Sequence, residues 1–540
     1  MDGSHHASPG TLPLVSRRLI VADAVRDATG VRGDAILLDG PQIAAVGQAA
    51  DLRHPNLPED RYPGATIVPG LRDAHLHPVG YAASLNRPSL KEAADFAAVA
   101  DIVAAAAATT PPGSAVTALR LDDESLAEGR LPGRDLLDRV VPDHPVLLIR
   151  YCGHVAVANT AALALAGIDD HTADPVAGSM DRDRDGRLTG VLRETAVEPV
   201  TAALGGLSPP LTTDQVVDAA TALAAVGLTG VGAMVSTDAG CWAGGGSELD
   251  SLIDAAPLVP ITMGVMVIAS DPADLERAAE RLAHAGGRVR FTGVKIFADG
   301  SLGGHTAAMH EGFADMPEER GTDRLDPEWA ADLARASLRL GGRVAIHAIG
   351  DRANGGVLDL MERLIAEGAD PGMLRIEHAS VLTAADIARF GRLGVTASVQ
   401  PAFMASETGW LHKRVGPDRL LRTYAFRSLA DVGTPLAGGS DCPVEPPHPL
   451  PNMAAARDRC GIVPGQGLTA DEALALFTTG SAGAIGESAL LEAGAPASLT
   501  ILDADPVLAD PTALRAIGVL ATWVLGRSVA VPSGVITWTA

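Results

Sequence analysis

Five side chains that can bind a metal ion stand at the ends of strand-like runs. His75 and His77 are two residues apart in "DAHLH", so both imidazoles point to one side of a strand and can hold one cation. His347 in "VAIHAIGD" and His378 in "RIEHAS" are 31 residues apart, about the length of one βα unit, and Asp441 ends "LAGGSD". A lone histidine in an apolar strand is more often a core residue, but this set predicts a shared metal site.

The run "FTGVKIFADGS" keeps a lysine in an apolar stretch that is typical of a buried strand. Only three of the 42 basic residues are lysines, namely Lys91, Lys295 and Lys413. A neutral buried amine can react with carbon dioxide to give a carbamate, an anionic ligand that can bridge two cations, and arginine cannot do this at neutral pH. The alternative is an ion pair between Lys295 and Asp299 or another pocket carboxylate. Next to the histidines, the sequence favours the carbamate.

These side chains need strands to position them, and apolar runs alternate with Ala-rich helical stretches over most of the chain. The alternation predicts βα units and a parallel sheet. Ten strand-like runs follow residue 71, and a (β/α)8 barrel needs eight. Irregular Gly-, Pro- and Asp-rich segments flank the second and third runs, "AVTALRL" and "PVLLIRY". We therefore expect a distorted (β/α)8 TIM barrel with an insertion at about 80–210, after the first barrel strand.

Both ends of the sequence show a residue pattern that differs from the alternating strand and helix runs of the barrel. Residues 18–68 contain short alternating runs with Gly and Asp turns, and "SLTILDAD", "GVLATWVLGRSVAV" and "GVITWT" repeat this near the C-terminus. The two ends are expected to pair in one β-sandwich. The predicted units are residues 1–68 and 489–540 for the sandwich and 69–488 for the barrel.

Charge and composition exclude several classes of protein. The net charge of −24 argues against nucleic acid or an anionic membrane as partner. The four cysteines are scattered without a C-x-x-C pair, which indicates reduced thiols rather than a disulfide framework or a thiolate zinc site. We find no signal peptide and no apolar run long enough to span a membrane, and we expect a cytoplasmic protein.

An ordered set of motifs resembles the amidohydrolase superfamily, and specifically its YtcJ-like branch, which includes N-substituted formamide deformylases. The motifs are "PGLRDAHLH", "VKIFADGSLGG", "AIHAIGDRA", "RIEHAS", "SVQP" and "GGSDCPVEPPHPL". The resemblance implies the barrel and sandwich, and it implies a binuclear centre of two divalent ions. Imidazole, carboxylate and carbamate ligands make zinc the first choice, with manganese, iron and cobalt as alternatives. It assigns His75 and His77 to one ion, His347 and His378 to the other, carboxylated Lys295 as the bridge, and Asp441 as ligand and base.

The resemblance also suggests residues that border the substrate. "CGHVAVANTAALALAGI" contains the G-H…N segment of this branch, which makes His154 a candidate, and Glu194 and Trp410 stand where relatives have similar residues. Where relatives often have G-S-R-T, this chain has His305, so a substrate-binding arginine is expected to be replaced by His305. Each of these four residues has a structural role as its alternative.

The resulting expectation is an enzyme that hydrolyses a C–N amide-type bond of a small molecule, such as an N-substituted formamide or an N-acyl amine. A metal-bridged hydroxide would attack, with Asp441 as general acid and base. The same site could instead serve isomerisation, decarboxylation or deamination, and a non-catalytic scaffold is a third alternative. A homodimer is the commonest default for the assembly.

Overall fold

The structure is a computed structural model that describes residues 17–205, 207, 210–238 and 246–530. Its strands, numbered in chain order, are β1 (Arg18–Asp27), β2 (Gly30–Asp39), β3 (Gln42–Gly47), β4 (Glu59–Pro69), β5 (Leu71–Leu76), β6 (Val116–Leu121), β7 (Val146–Arg150), β8 (Val155–Ala158), β9 (Gly178–Arg182), β10 (Leu188–Glu194), β11 (Leu228–Ser236), β12 (Thr262–Ile268), β13 (Val289–Phe297), β14 (Arg343–Ala348), β15 (Leu374–His378), β16 (Thr396–Val399), β17 (Leu436–Gly438), β18 (Leu499–Leu502), β19 (Val519–Val524) and β20 (Arg527–Ser528).

The helices are α1 (Ala49–Leu52), α2 (Pro78–Leu85), α3 (Phe96–Thr109), α4 (Arg134–Val140), α5 (Thr160–Leu165), α6 (Val197–Gly205), α7 (Thr213–Ala225), α8 (Glu248–Ala255), α9 (Pro272–Ala285), α10 (Pro327–Arg339), α11 (Asp351–Ala366), α12 (Ala384–Leu393), α13 (Phe403–Glu407), α14 (Leu411–Leu420), α15 (Phe426–Asp431), α16 (Pro449–Asp458), α17 (Ala470–Ala475), α18 (Ser481–Ala484) and α19 (Pro511–Leu514). Short 3₁₀ turns lie at Pro371–Met373, Arg459–Gly461 and Pro464–Gln466, and a π-helical turn spans Leu476–Gly480. Among the described residues, we find no helix with the length and apolar character that a membrane span requires.

Eight parallel strands form the central sheet, in the order β17-β16-β15-β14-β13-β12-β11-β5. Every residue of β11 is buried, as expected for a parallel strand that is covered on both faces. The two edge strands meet at their C-terminal ends, where Asp441 N donates to His75 O at 2.7 Å and His77 N donates to Cys442 O at 2.7 Å. The eight runs assigned to the barrel are these eight strands, and the predicted fold class is confirmed.

Between β5 and β11 the chain builds a separate five-stranded sheet in the order β6-β7-β8-β10-β9. Strand β6 pairs with β7 in parallel, and the other pairs are antiparallel. The two runs assigned to the insertion are β6 and β7. This sheet packs around its own apolar cluster, which includes Val99, Leu137 and Leu148.

Both ends of the chain share a seven-stranded sheet in the order β20-β19-β18-β4-β1-β2-β3. Strand β18 pairs with β4 over Leu499↔Pro69 to Leu502↔Thr66, which joins the C-terminal strands to the N-terminal ones. The predicted strand "GVITWT" lies outside the described residues, as does Cys241. The division of the chain at residues 68 and 488 stays a proposal, which the strand order supports.

The helices of the barrel begin at residues whose side chains or ring geometry favour a helix start. Asp271 and Asp326 accept backbone N–H groups at the starts of α9 and α10, and each is followed by a proline at the first helical position. Thr383 forms a capping box with Asp386 at the start of α12. These local signals fix where each helix leaves the strand before it.

The close approach of β11 to β5 makes glycine necessary at position 232. A Cβ there would lie 2.0 Å from Ala74 O, whereas a Cβ on Gly356, which is exposed in α11, would meet nothing within 4 Å. We predict that Gly232→Ala lowers the free energy of unfolding by about 3 kcal/mol. Gly356→Ala should raise it by up to about 1 kcal/mol, because alanine favours a helix. Denaturant unfolding measures the stability of both variants. Equal unfolding midpoints would contradict this account of the contact between β11 and β5.

Candidate active site

The predicted ligands lie at the C-terminal ends of barrel strands. The ring centroids of His75 and His77 are 5.7 Å apart, those of His75 and His378 are 5.1 Å apart, and those of His347 and His378 are 4.5 Å apart. One donor atom each from His75, His378 and Asp441 lie within 4.8 Å of one another. The barrel therefore brings together histidines that are far apart in sequence. The predicted ligands are called the ligand cluster below; they are His75, His77, Lys295, His347, His378 and Asp441.

One nitrogen of each of three imidazoles is held by an acceptor. His75 Nδ1 lies 2.5 Å from Glu377 Oε2, His378 Nδ1 lies 2.8 Å from Gln400 Oε1, and His347 Nε2 lies 2.9 Å from the carbonyl oxygen of Gly300. Such contacts orient histidine ligands and leave the second nitrogen for a metal.

The free nitrogen of His75 provides a test of whether a metal fits. His75 Nε2 is buried and makes no hydrogen bond with the described residues, although Asp441 Oδ1 lies 3.2 Å away. An unsatisfied buried nitrogen is costly unless it binds something. This donor set of imidazole and carboxylate groups suits a divalent cation.

Burial gives these side chains the protonation states that metal binding requires. It lowers the pKa of His77, and it lowers the pKa of His347 and His378 well below the usual value, so these imidazoles are neutral. Burial acts the other way on Asp441, but the neighbouring His75 and His77 hold the pKa of its carboxyl well below the usual range. Asp441 is therefore ionised.

Lys295 lines the same cavity as His77, His347, His378 and Asp441. Its side chain is buried, Nζ lies 4.6 Å from the centre of the Phe297 ring, and no ion pair joins it to any described residue. Burial lowers the pKa of Lys295 to about 8, which leaves part of the amine neutral near pH 7. Asp299 instead accepts the backbone N–H groups of Ala308, Ile349 and Gly350. The ion-pair alternative with Asp299 thus finds no support in the geometry.

The insertion supplies a second group of polar residues to the same site. His154 lies between β7 and β8, and its ring centroid is 5.3 Å from that of His347. Its Nδ1 lies 2.9 Å from Glu194 Oε2, which also accepts from Arg324 Nη1 at 3.0 Å. Burial favours a higher pKa for Glu194, but His154 and Arg324 bring it down to about 2. His154 and Glu194 therefore form an oriented pair beside the ligand cluster.

Two cavities of unequal size share the ligand cluster. The larger cavity, of about 270 Å³, is lined by the insertion, by α6 and by the ends of β11 to β13. The smaller cavity, of about 30 Å³, is walled by side chains that include Tyr151, Leu302, Phe403 and Tyr424. The residues that line both are Cys152, His154, His347, His378, Asp441 and Val444. A molecule bound at the cluster can therefore extend in two directions.

Two of the residues suggested as substrate neighbours lie elsewhere. His305 Nε2 lies 3.2 Å from Asp315 Oδ1, and His305 lines a different cavity, of about 770 Å³, whose lining includes none of the predicted metal ligands. The Trp410 ring packs against the guanidinium of Arg414, 5.0 Å away, and lines neither cavity at the ligand cluster. Of the four suggested residues, the structure brings only His154 and Glu194 to the cluster.

Sequence reasoning missed three residues that support the site. Glu377 holds His75, Gln400 holds His378, and Arg324 pairs with Glu194. Glu377 immediately precedes His378 in "RIEHAS", and Gln400 ends "SVQP", so their place at strand ends was the available signal. Asp351, which follows the strand of His347, does not contact that histidine and instead accepts the backbone N–H of His310 at 2.9 Å.

A parallel barrel whose strand ends gather histidines and an aspartate defines a metal-dependent hydrolase of the amidohydrolase type. The chain matches the Amidohydrolase family over residues 63–530, and it belongs to that family. It is accordingly a hydrolytic enzyme that acts on carbon–nitrogen bonds.

Two curated proteins and a solved structure illustrate the relationship. The chain is 30% identical over 521 residues to the putative amidohydrolase YtcJ of Bacillus subtilis (strain 168), a match that covers 93% of this chain and 96% of that protein. It is 30% identical over 532 residues to the N-substituted formamide deformylase of Arthrobacter pascens, a match that covers 93% of this chain and 95% of that protein. The crystal structure of an uncharacterized metal-dependent hydrolase from Pyrococcus horikoshii OT3 matches with a TM-score of 0.71 and 26% identity, over 92% of this chain and 99% of that chain.

The contact between Glu377 and His75 predicts a specific effect on metal binding. Glu377→Gln should lower the metal affinity about 10- to 100-fold, because the amide is a weaker partner for the imidazole. Competition with a chelator measures this change.

The matched control is Glu487→Gln. Glu487 accepts from Arg72 Nε at 2.8 Å, and Glu377 is likewise paired with Arg375, but only Glu377 contacts a histidine of the cluster. Both variants should lose stability, and only Glu377→Gln should lose metal. Equal metal affinity in the two variants would refute the orienting role.

Proposed function

We propose that this enzyme hydrolyses N-acyl amines that carry a small acyl group, such as N-substituted formamides. The single observation that carries the proposal is the ligand cluster between a cavity of about 30 Å³ and one of about 270 Å³. The small cavity has room for little more than a formyl or acetyl group, and the large cavity has room for the substituent on nitrogen. A relative at 30% identity is an N-substituted formamide deformylase, which supports the same class of substrate.

Six residues would hold two divalent cations, and zinc suits this set of nitrogen and oxygen donors. They are His75, His77, Lys295 as a carbamate, His347, His378 and Asp441. Bound cations of this kind polarise a carbonyl oxygen and lower the pKa of a coordinated water from about 15.7 towards about 7.

Asp441 is the proposed general base and acid. Its carboxylate lies beside His75 Nε2 and His77 Nε2, at 3.2 and 3.3 Å, and it lines both cavities. As the water oxygen adds to the carbonyl carbon, Asp441 takes a proton from the water. When the C–N bond breaks, Asp441 returns this proton to the nitrogen. The products are a carboxylic acid and an amine.

His154 is the proposed donor to the developing oxyanion. Glu194 accepts the hydrogen bond from Nδ1–H of His154, and when the ring also carries a proton on Nε2, this second N–H can donate into the space between the two cavities. A donor fixed before the reaction stabilises negative charge that develops on the carbonyl oxygen. The ion pair between Glu194 and Arg324 keeps this imidazole in place.

The proposal is tested with a panel of N-formyl, N-acetyl and N-butanoyl derivatives of one amine, assayed with zinc-loaded protein. We expect release of the amine and the acid, with kcat/KM falling as the acyl group grows, and loss of turnover on chelation. Asp441→Asn should lower kcat about 10²- to 10⁴-fold, because the amide cannot accept the proton. Full activity of chelated protein, or of Asp441→Asn, would disprove the proposal.

The carbamate is tested separately at Lys295. Lys295→Arg keeps a positive charge but cannot form a carbamate at neutral pH, so it should bind fewer metal ions and lose at least about 10²-fold in kcat. Protein loaded in ¹³C-bicarbonate should give a carbamate carbon signal that is absent from the variant. A wild-type protein without this signal that still binds two ions per chain would refute the bridge.

A further inference from the structure

The larger cavity has an acidic wall, and of its carboxyl groups only Glu194, which holds His154, has a part in the proposed reaction. Apart from the predicted ligands, its described lining carries four carboxyl side chains and one guanidinium. These are Glu194, Glu198, Asp238, Glu248 and Arg324. A cavity with this imbalance favours a cation over an anion.

The single guanidinium does not offset this wall. Arg324 Nη1 donates to the buried Glu194 at 3.0 Å, and Arg324 Nη2 lies 3.5 Å from Glu198 Oε1. The side chain of Glu198 is 68% exposed, so its contact with Arg324 is the weaker of the two. Arg324 is therefore committed to Glu194, which holds His154.

Glu248 is the buried carboxyl of this wall. It is only 2% exposed, and its Oε2 accepts the backbone N–H of Ser236 at 2.9 Å. Its other oxygen receives no hydrogen bond, and the residue forms no ion pair, within the described part of the chain. Burial and the nearby Asp238 raise the pKa of Glu248 to about 8, so this carboxyl is largely protonated at pH 7 and becomes ionised when a bound cation takes the place of its proton.

The chain holds this carboxyl in place from both sides. Ser236 ends β11, its Oγ donates to Asp238 Oδ1 at 2.6 Å, and Glu248 N donates to Asp238 O at 2.8 Å. Glu248 is also the first residue of α8. The free oxygen thus belongs to a rigid unit at the end of a barrel strand, where binding residues of such barrels lie.

The larger cavity is also lined by apolar side chains, so it is not polar throughout. Val197, Ile268 and Phe297 line the same cavity, and they suit an alkyl or aryl spacer. A ligand that matches both features has an apolar chain that ends in a positive charge.

We propose that the larger cavity recognises a cationic group on the amine part of the substrate through Glu248 and Glu198. The substrate class is then an N-acyl diamine or a similar N-acyl amine with a terminal ammonium group. This inference rests on the proposed function for its orientation, with the acyl group in the small cavity. An amine part that ends in a carboxylate is disfavoured by the same charges.

Binding to the zinc-loaded full chain at pH 8.5, at which most of Glu248 is ionised and the amines keep their positive charge, tests this without turnover. Calorimetry compares three ligands with the same five-carbon chain, which are 1,5-diaminopentane, pentylamine and 5-aminopentanoate. We expect the diamine to bind about 10- to 100-fold more tightly than pentylamine, as for a hydrogen-bonded charge, and 5-aminopentanoate to bind more weakly than pentylamine. Equal affinities for the diamine and pentylamine would overturn the proposal.

Three variants test whether the carboxyl groups of the cavity cause the preference for the diamine. Glu248→Gln keeps an acceptor for Ser236 N and should remove most of the preference for the diamine, and Glu198→Gln, on an exposed side chain, should reduce it. Glu328→Gln, on the surface at the start of α10, is the matched control and should leave it unchanged. A preference that survives in both cavity variants would overturn the proposal.

Kinetics separate this proposal from the proposed function. The N-formyl derivatives of 1,5-diaminopentane and pentylamine should differ at least about tenfold in kcat/KM, chiefly through KM, and Glu248→Gln should erase the difference. Hydrolysis of neither compound would count against the proposed function, while the calorimetric result would stand. Hydrolysis of both at equal kcat/KM would count against cation recognition alone.

Discussion

The structure depends on how the barrel closes between its first and last strands. Strands β5 and β17 are the edges of the eight-stranded sheet, and backbone hydrogen bonds made by the predicted ligands His75, His77 and Asp441 join their ends. The Asp73 carboxylate accepts the N–H groups of His75, at 2.9 Å, and Ser440, at 3.0 Å. Gly439 is needed here, because a Cβ would lie 2.9 Å from His75 N. The contacts that close the barrel therefore also place His75 beside Asp441.

A buried network of charged side chains also holds His75 in place. Arg375 donates to Glu377, to Ala74 O at 2.7 Å and to Ala484 O at 3.0 Å, and Glu377 holds His75. Arg375 and Glu377 are thus paired with each other, which lowers the cost of placing these two charges in the core. His378 and Asp441 have positive φ angles of 71° and 58°, and backbone strain of this kind often occurs at active sites. Stability and site geometry are thus coupled.

The insertion makes the two sides of the ligand cluster different from each other. His154 and Glu194 come from the five-stranded sheet, and Glu194 lies so close to the loop after β13 that a Cβ on Gly300 would be 2.1 Å from Glu194 Oε1. Gly300 O in turn holds His347. One side of the ligand cluster is therefore small and walled by aromatic rings, and the other is large, partly apolar and acidic. This asymmetry underlies both the proposed substrate and the proposed recognition of a cation.

The sequence by itself determined the eight barrel strands and placed the predicted metal-binding side chains at their ends, because apolar runs that end in His or Asp are local features. It also indicated that both termini share a sheet. Only the tertiary structure decided which residues meet: Glu377 contacts a histidine 302 positions away, and His154 reaches the barrel from the insertion. It also separated His305 and Trp410 from the cluster, and it revealed Glu248 in the cavity wall. Such contacts depend on the paths of loops and on the docking of the insertion, which no local pattern encodes.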